Sequence, residues 1–164
     1  MTNNDVMRSL RFMLKINNPK IAEICKLAGL DVPVVEIDRF SKNEEDPQYL
    51  ECSDQIMAHF LNGLVIWKRG KDETRPLAPL EIPVSNNTVL KKLKVAFQLQ
   101  EEDLIAIMSG TGLPFGKAEL SAFLRKKGHR NYRECGDQVL RNFLKGLTAR
   151  LHQVPTSSFL TIRI

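Results

Sequence analysis

The sequence predicts an all-α fold: two tandem helical repeats of about four helices each, packed with pseudo-two-fold symmetry. Three observations predict it. The stretch Tyr49-Leu-Glu-Cys-Ser-Asp-Gln-Ile-Met-Ala-His-Phe-Leu-Asn-Gly-Leu64 returns 83 positions later as Tyr132-Arg-Glu-Cys-Gly-Asp-Gln-Val-Leu-Arg-Asn-Phe-Leu-Lys-Gly-Leu147. The same offset carries Asn3-Asn4 onto Asn86-Asn87, Leu10 onto Leu93, Gly29-Leu30 onto Gly112-Leu113 and Phe40 onto Phe123 without a gap. Apolar residues in both copies recur at helical rather than alternating spacing. The expected organisation is a first repeat at 1–70, a proline-containing linker at 71–85, a second repeat at 86–153 and an extended tail at 154–164.

The first helix is expected over 5–16, with Asn4 as N-cap and Val6, Leu10, Met13 and Leu14 on its apolar face. Asn17-Asn18-Pro19 breaks the chain. Asn18 is the expected cap and Pro19 the first helical residue of a second helix, which presents Ile21, Ile24, Cys25 and Ala28 and ends at Gly29. Pro33 opens a short third helix with Val34, Ile37 and Phe40 inward, and the polar run 41–47 is a loop. A fourth helix starts near Cys52. Cys52 or Ser53 caps it, Asp54 sits in the anion-favouring first turn, Gln55 closes a capping box, and Ile56, Phe60, Leu64 and Trp67 form the buried stripe. Gly63 and Gly146 stand inside their helices at a cost of roughly 1 kcal/mol each against alanine, which predicts a close backbone approach. The expected partner is the other fourth helix, crossing there at the pseudo-two-fold axis. Pro76, Pro79 and Pro83 make 71–85 a semi-extended connector. The tail alternates Phe159, Thr161 and Arg163 with Leu160, Ile162 and Ile164, the pattern of a short strand or docked arm.

The composition, 43% hydrophobic and 26% charged, is that of a globular chain able to bury a core without metal or disulfide. No apolar run approaches the length of a membrane span, and the N-terminus lacks the pattern of a secretory signal, so a cytoplasmic location and no membrane partner are expected. Three cysteines without a C-x-x-C pair fit a reducing compartment. That argues against a disulfide between Cys52 and Cys135, even if a two-fold relation brought them together.

With both copies laid out, the chain resembles the bacterial domain of unknown function family 1456, the YehS-like proteins. The residues that carry the likeness are Asn3-Asn4-Asp5 with Leu10-Arg11, and Phe60-Leu61-Asn62-Gly63-Leu64 running into Lys68-Arg69-Gly70-Lys71-Asp72-Glu73. In the second half they are Asn86-Asn87 with Val89-Leu90-Lys91-Lys92-Leu93, and Arg133-Glu134-Cys135-Gly136-Asp137-Gln138 followed by Arg141, Phe143-Leu144 and Gly146-Leu147. The likeness spans residues 1 to about 153. It implies a duplicated helical protein and no particular activity.

Two sets of residues are candidates for binding. The first is the repeated polar cluster Tyr49, Glu51, Cys52, Asp54 and Gln55, with Tyr132, Glu134, Cys135, Asp137 and Gln138. A cysteine at a helix N-terminus can be activated, but a nucleophile also needs a base. His59 is replaced by Asn142 in the second copy, so no catalytic residue is assigned, and helix capping alone accounts for Asp and Gln. The second set is basic. Arg8 and Arg11 correspond to Lys91 and Lys94, and Arg125, Lys126, Lys127, His129, Arg130 and Arg133 add a cluster in the second copy. With a net charge of +5 and a pI near 9.2, these faces suit phosphates at two points.

Other motifs fail on detail. The run 109–117 has Thr111 where a phosphate loop needs glycine and Ala118 where it needs Ser or Thr, so it reads as a helix-ending turn. A helix-turn-helix over 20–40 would present Val34, Val35, Glu36 and Asp38 to DNA, and carboxylates repel phosphate. His59, His129 and His152 lack ligand spacing, so neither a metal nor a cofactor is expected. The expected function is non-enzymatic: a binding or regulatory module for a protein partner or an anionic polymer. The alternatives are nucleic-acid binding through the matched basic helices and, less favoured, a cysteine-dependent enzyme. Self-association through the C-terminal tail is a further expectation.

Overall fold

A computed structural model describes residues 1–113 and 115–159. The described residues form eight α-helices and one 3-10 turn, with no strand among them. They are α1 (Asn3–Leu14), α2 (Asn18–Leu27), α3 (Val34–Phe40), α4 (Asp54–Arg69), α5 (Asn86–Ala96), α6 (Glu101–Ser109), α7 (Lys117–Leu124) and α8 (Asp137–His152). The 83-residue offset superimposes the helix register of α1–α4 on α5–α8. It also carries the left-handed residues at the turns, Lys15 onto Gln98 and Gly29 onto Gly112.

Local chemistry starts the helices one or two residues from the expected caps. Thr2, not Asn4, caps α1: its hydroxyl accepts the Asp5 amide while Asp5 accepts the Thr2 amide. Asn17, not Asn18, caps α2 through the Lys20 amide, and Ser85 caps α5. Ser53 caps α4 by accepting the Ile56 amide, and Gln55 takes no part in a capping box. In α3, Ile37 and Phe40 are buried but Val34 is exposed. In α4 the buried stripe is Met57, Phe60, Leu61 and Leu64, with Ile56 and Trp67 only half-buried beside it.

Gly63 and Gly146 do mark close approaches, but not to each other. A Cβ on Gly63 would lie 2.0 Å from the Ile24 carbonyl oxygen of α2, and one on Gly146 would lie 2.7 Å from Ile107 Cγ2 of α6. Each glycine therefore seats the last helix of a repeat on the second helix of the same repeat. The repeats join differently, by exchange: α4 packs on α5, and α8 packs on α1. The first helix of each repeat thus lies on the last helix of the other, the reciprocity of an approximate two-fold relation. Arg69 of α4 donates to the Val95 carbonyl of α5, and His152 of α8 donates through Nε2 to the Met13 carbonyl of α1. One apolar core, including Leu10, Phe60, Leu93 and Phe143, runs through both repeats.

The tail does not form a strand over its described part. Residues Thr156–Ser158 make a 3-10 turn, Thr156 sits over Gly110, and the Phe159 ring packs edge-on against Phe12 and His152 of its own chain. The alternation expected from residue 160 onward lies outside the described residues.

Candidate functional site

The two candidate sets meet different fates, beginning with the repeated polar cluster. Asn4 is 3% exposed, and both polar atoms of its side chain are used. Its Nδ2 donates to the carbonyls of Phe40 (3.1 Å) and Leu50 (2.9 Å), and its Oδ1 accepts the Cys52 amide (2.9 Å). Asn87 repeats this with Phe123 (3.0 Å), Arg133 (2.8 Å) and Cys135 (2.9 Å). Asn3 donates to the Cys52 carbonyl and to Asp54 Oδ1; Asn86 does the same to Cys135 and Asp137. The paired asparagines thus hold the turn that enters the last helix of each repeat. This accounts for the joint recurrence of Asn-Asn and Cys-x-Asp.

The remaining carboxylate oxygen of each aspartate reaches across the repeat boundary. Asp54 Oδ2 accepts the Val84 amide at 3.2 Å, and Asp137 Oδ2 accepts the Met1 amino group at 2.6 Å. Met1 and Val84 are themselves one repeat length apart, so the two bonds are exchange partners. The Met1 amino group and the Asn86 amide hold the Asp137 carboxyl below its ordinary value.

Cys25, Cys52 and Cys135 are free and buried. Burial pushes each thiol up to about 12. Cys25 and Asp54 add to the effect at Cys52, and Asp137 adds to it at Cys135. A thiol held in its neutral form is a poor nucleophile at neutral pH. His59 is committed to the Gln55 carbonyl at 2.7 Å. Among the described residues, no three His, Cys, Asp or Glu side chains cluster in a way that could hold a metal ion. On the surface of this cluster Glu51, Gln55, Glu134 and Gln138 are exposed, and Tyr49 and Tyr132 are half-buried. Partial burial and neighbouring carboxylates, Glu44 and Glu51 for Tyr49 and Glu134 for Tyr132, raise both phenols.

The basic set divides by repeat. In the first, Arg11 donates to Asn18 Oδ1 (2.8 Å) and to Ser41 Oγ (2.6 Å), and burial and Arg8 lower its pKa. Arg8 pairs with Asp5 at 3.4 Å and lines a small hollow with Glu44, Glu45 and Tyr49. Both guanidiniums therefore sit among structural or acidic partners. In the second repeat, Thr88 replaces Asp5, Lys127 replaces Glu44 and Gly128 replaces Glu45. Lys91 and Lys94 are half-buried on α5, and Arg125, Lys126, Lys127, Arg130 and Arg133 are exposed. None of these five makes an ion pair among the described residues. Beside them lies a depression of about 440 Å³ lined by Lys117, Ser121, Arg125 and Asn131. Sequence reasoning matched the basic helices of the two repeats. The loop that separates them electrostatically was legible only by setting residues 42–51 against 125–134.

The short third helix presents Val34 and Val35 to solvent, Asp38 accepts a bond from Asn18, and its one basic residue, Arg39, donates to the Gln48 carbonyl. The run 109–117 ends α6 in a turn, with Gly112 left-handed and α7 beginning at Lys117. No helix among the described residues is long and apolar enough to cross a membrane.

Residues 3–70 and 86–151 each match the family described as "Protein of unknown function (DUF1456)". The chain is 41% identical over 152 residues to the "Uncharacterized protein YehS" of Escherichia coli (strain K12), covering 93% of this chain and 97% of that protein. No solved structure matches it. The two matched segments coincide with the two four-helix units held by Asn4 and Asn87, and the chain belongs to the DUF1456 family.

Proposed function

We propose that the protein is a non-enzymatic binding module whose second repeat holds an anionic polymer, with nucleic acid as the first chemistry to test. The single observation behind this reading is the charge inversion of one loop between the repeats. Residues 42–51 carry Glu44, Glu45, Asp46 and Glu51 against Lys42, whereas residues 125–134 carry Arg125, Lys126, Lys127, Arg130 and Arg133 against Glu134. The backbone frame of the two loops is the same: Leu50 donates to the Arg39 carbonyl in one and Arg133 to the Ala122 carbonyl in the other. Fold requirements therefore do not account for the cations. Exposed, unpaired Lys and Arg on one side of a helical body suit phosphate contacts, with Lys91 and Lys94 extending the same repeat's positive charge. The raised thiols supply no activated nucleophile, which favours binding over cysteine chemistry.

The test is fluorescence anisotropy with short single-stranded RNA and duplex DNA across a salt series. Affinity should fall steeply with salt and be lost in a variant carrying Arg125→Glu, Lys127→Glu and Arg130→Glu. Arg8→Glu, already in acidic surroundings, should leave it little changed. No binding at low salt, or binding indifferent to the triple reversal, would remove this reading.

A further inference from the structure

A cleft of about 310 Å³ opens where the C-terminal end of α4, the segment that follows it and α5 meet. Asn62 lines it and is 5% exposed. The amide orientation is fixed by its partners. Nδ2 donates to the carbonyls of Ala78 (3.2 Å) and Pro79 (3.4 Å), and a flipped amide would set oxygen against oxygen. Asn62 Oδ1 is buried without a hydrogen-bond partner. A buried acceptor left unmatched is uncommon in folded proteins and calls for an explanation.

The same place in the second repeat is closed. Lys145 stands where Asn62 does, and Thr148 and Ala149, the counterparts of Val65 and Ile66, are 2% and 1% exposed. There the chain after α8 covers the groove, with Thr156 over Gly110. In the first repeat Val65 and Ile66 remain half-exposed and face the cleft together with Leu77. Three cations stand at the cleft. Lys92 of α5 has no carboxylate partner among the described residues, while Arg75 and Lys71 make only exposed pairs with Asp72 (3.3 Å) and Glu73 (3.8 Å). Asp72 also lines the cleft, which thus sets three cations against one carboxylate beside an apolar wall, with the unmatched acceptor of Asn62 buried in its lining, in a volume at the lower end of small-molecule sites.

We propose that this cleft binds a small amphiphilic anion carrying an N–H donor. The donor meets Asn62 Oδ1, which is covered in the free protein and is exposed as the ligand enters, the apolar body lies along Val65, Ile66 and Leu77, and the acid group faces Lys92 and Arg75. Both organic phosphates and carboxylates satisfy that chemistry, and AMP and N-acetylphenylalanine are the two probes that separate them. Calorimetry and thermal melting of the full chain should show saturable binding of at least one probe. Adenosine, which lacks the acid, and purine riboside monophosphate, which lacks the exocyclic amine, should each bind about tenfold more weakly than AMP if phosphate is the class. Lys92→Gln and Arg75→Gln should each weaken the bound probe about tenfold without lowering the melting temperature of the free protein. Asn62→Ala would also remove two structural hydrogen bonds, so the exposed Arg75, whose replacement leaves the fold intact, is the cleaner position to change. The triple reversal at 125, 127 and 130 should leave probe binding unchanged. The proposal is overturned if neither probe binds at millimolar concentration, if Lys92→Gln and Arg75→Gln have no effect, or if the triple reversal abolishes binding.

Discussion

Asn4 Oδ1 accepts the backbone amide of Cys52 at 2.9 Å, and this bond joins the first turn of α1 to the chain two residues before α4. The same asparagine donates to Phe40 and Leu50, so one side chain closes three backbone groups, one at the end of α3 and two in the segment that leads into α4. A peptide group buried without a partner costs about 1–3 kcal/mol, which makes the asparagine irreplaceable by an apolar residue of similar size.

Asn4→Ala and Asn87→Ala should therefore each destabilise the chain by about 3 kcal/mol in urea or guanidinium unfolding. Asn4→Asp keeps the acceptor for Cys52 but turns a carboxylate toward two carbonyl oxygens. It should be no less damaging than alanine. A loss below about 1 kcal/mol for all three would show that the asparagines do not clamp the fold.

Gly63→Ala should cost more than Gly146→Ala, although both sit in equivalent helices. The new methyl meets the Ile24 backbone oxygen at 2.0 Å in the first case, whereas in the second it meets a side-chain methyl of Ile107 at 2.7 Å, which can turn aside, and the Ile107 backbone oxygen only at 2.9 Å. Overpacking of this kind costs about 1–3 kcal/mol or more, against a gain of about 1 kcal/mol in helix propensity. Paired unfolding curves decide the order.

All three thiols should resist a disulfide reagent at neutral pH in the native state and react together once the chain is unfolded. The alkaline behaviour follows by linkage. A thiol raised from 9.0 to about 12 stabilises the fold fully below its unfolded value, and that contribution is lost as the pH climbs from there through the folded value. Stability should fall progressively above about pH 9, and Cys52→Ala with Cys135→Ala should flatten that limb.

At the other end of the scale, Asp103 and Asp137 are held below the ordinary aspartate value of 3.8. The Gln100 amide is the main cause for Asp103, with Arg150 assisting, and the Met1 amino group is the main cause for Asp137. Depressed carboxyls stabilise the fold above their unfolded value and lose that effect as the pH falls through the folded one. Stability should drop below about pH 4. Asp137→Asn should be less acid-sensitive than the parent chain while slightly less stable at neutral pH, measured by melting temperature against pH.

Much of the fold was legible because the repeat doubles every signal. Gly29 with Gly112, and Ile37 with Phe40, stand where the helical period and turn chemistry put them. The helix starts were misplaced at Asn4 and Asn18 for one reason. Asparagine is a good cap by local propensity, but Asn4 is taken by long-range carbonyls and leaves capping to Thr2. The polar cluster around Cys52 was legible as a cap; that its asparagine partners lie some fifty residues away was not. The basic stripe failed as a matched pair because Arg8 and Arg11 are surrounded by groups from other segments, Glu44, Glu45, Asn18 and Ser41.

By itself the sequence determined the class, the duplication and the need for a close approach at Gly63 and Gly146, since periodicity, offset and a missing side chain are local properties. Tertiary structure alone decided what each glycine approaches, which repeat's helix lies on which, and which cations remain free. Those outcomes depend on contacts between residues far apart in the chain, where one buried oxygen or one opposing carboxylate outweighs any local preference.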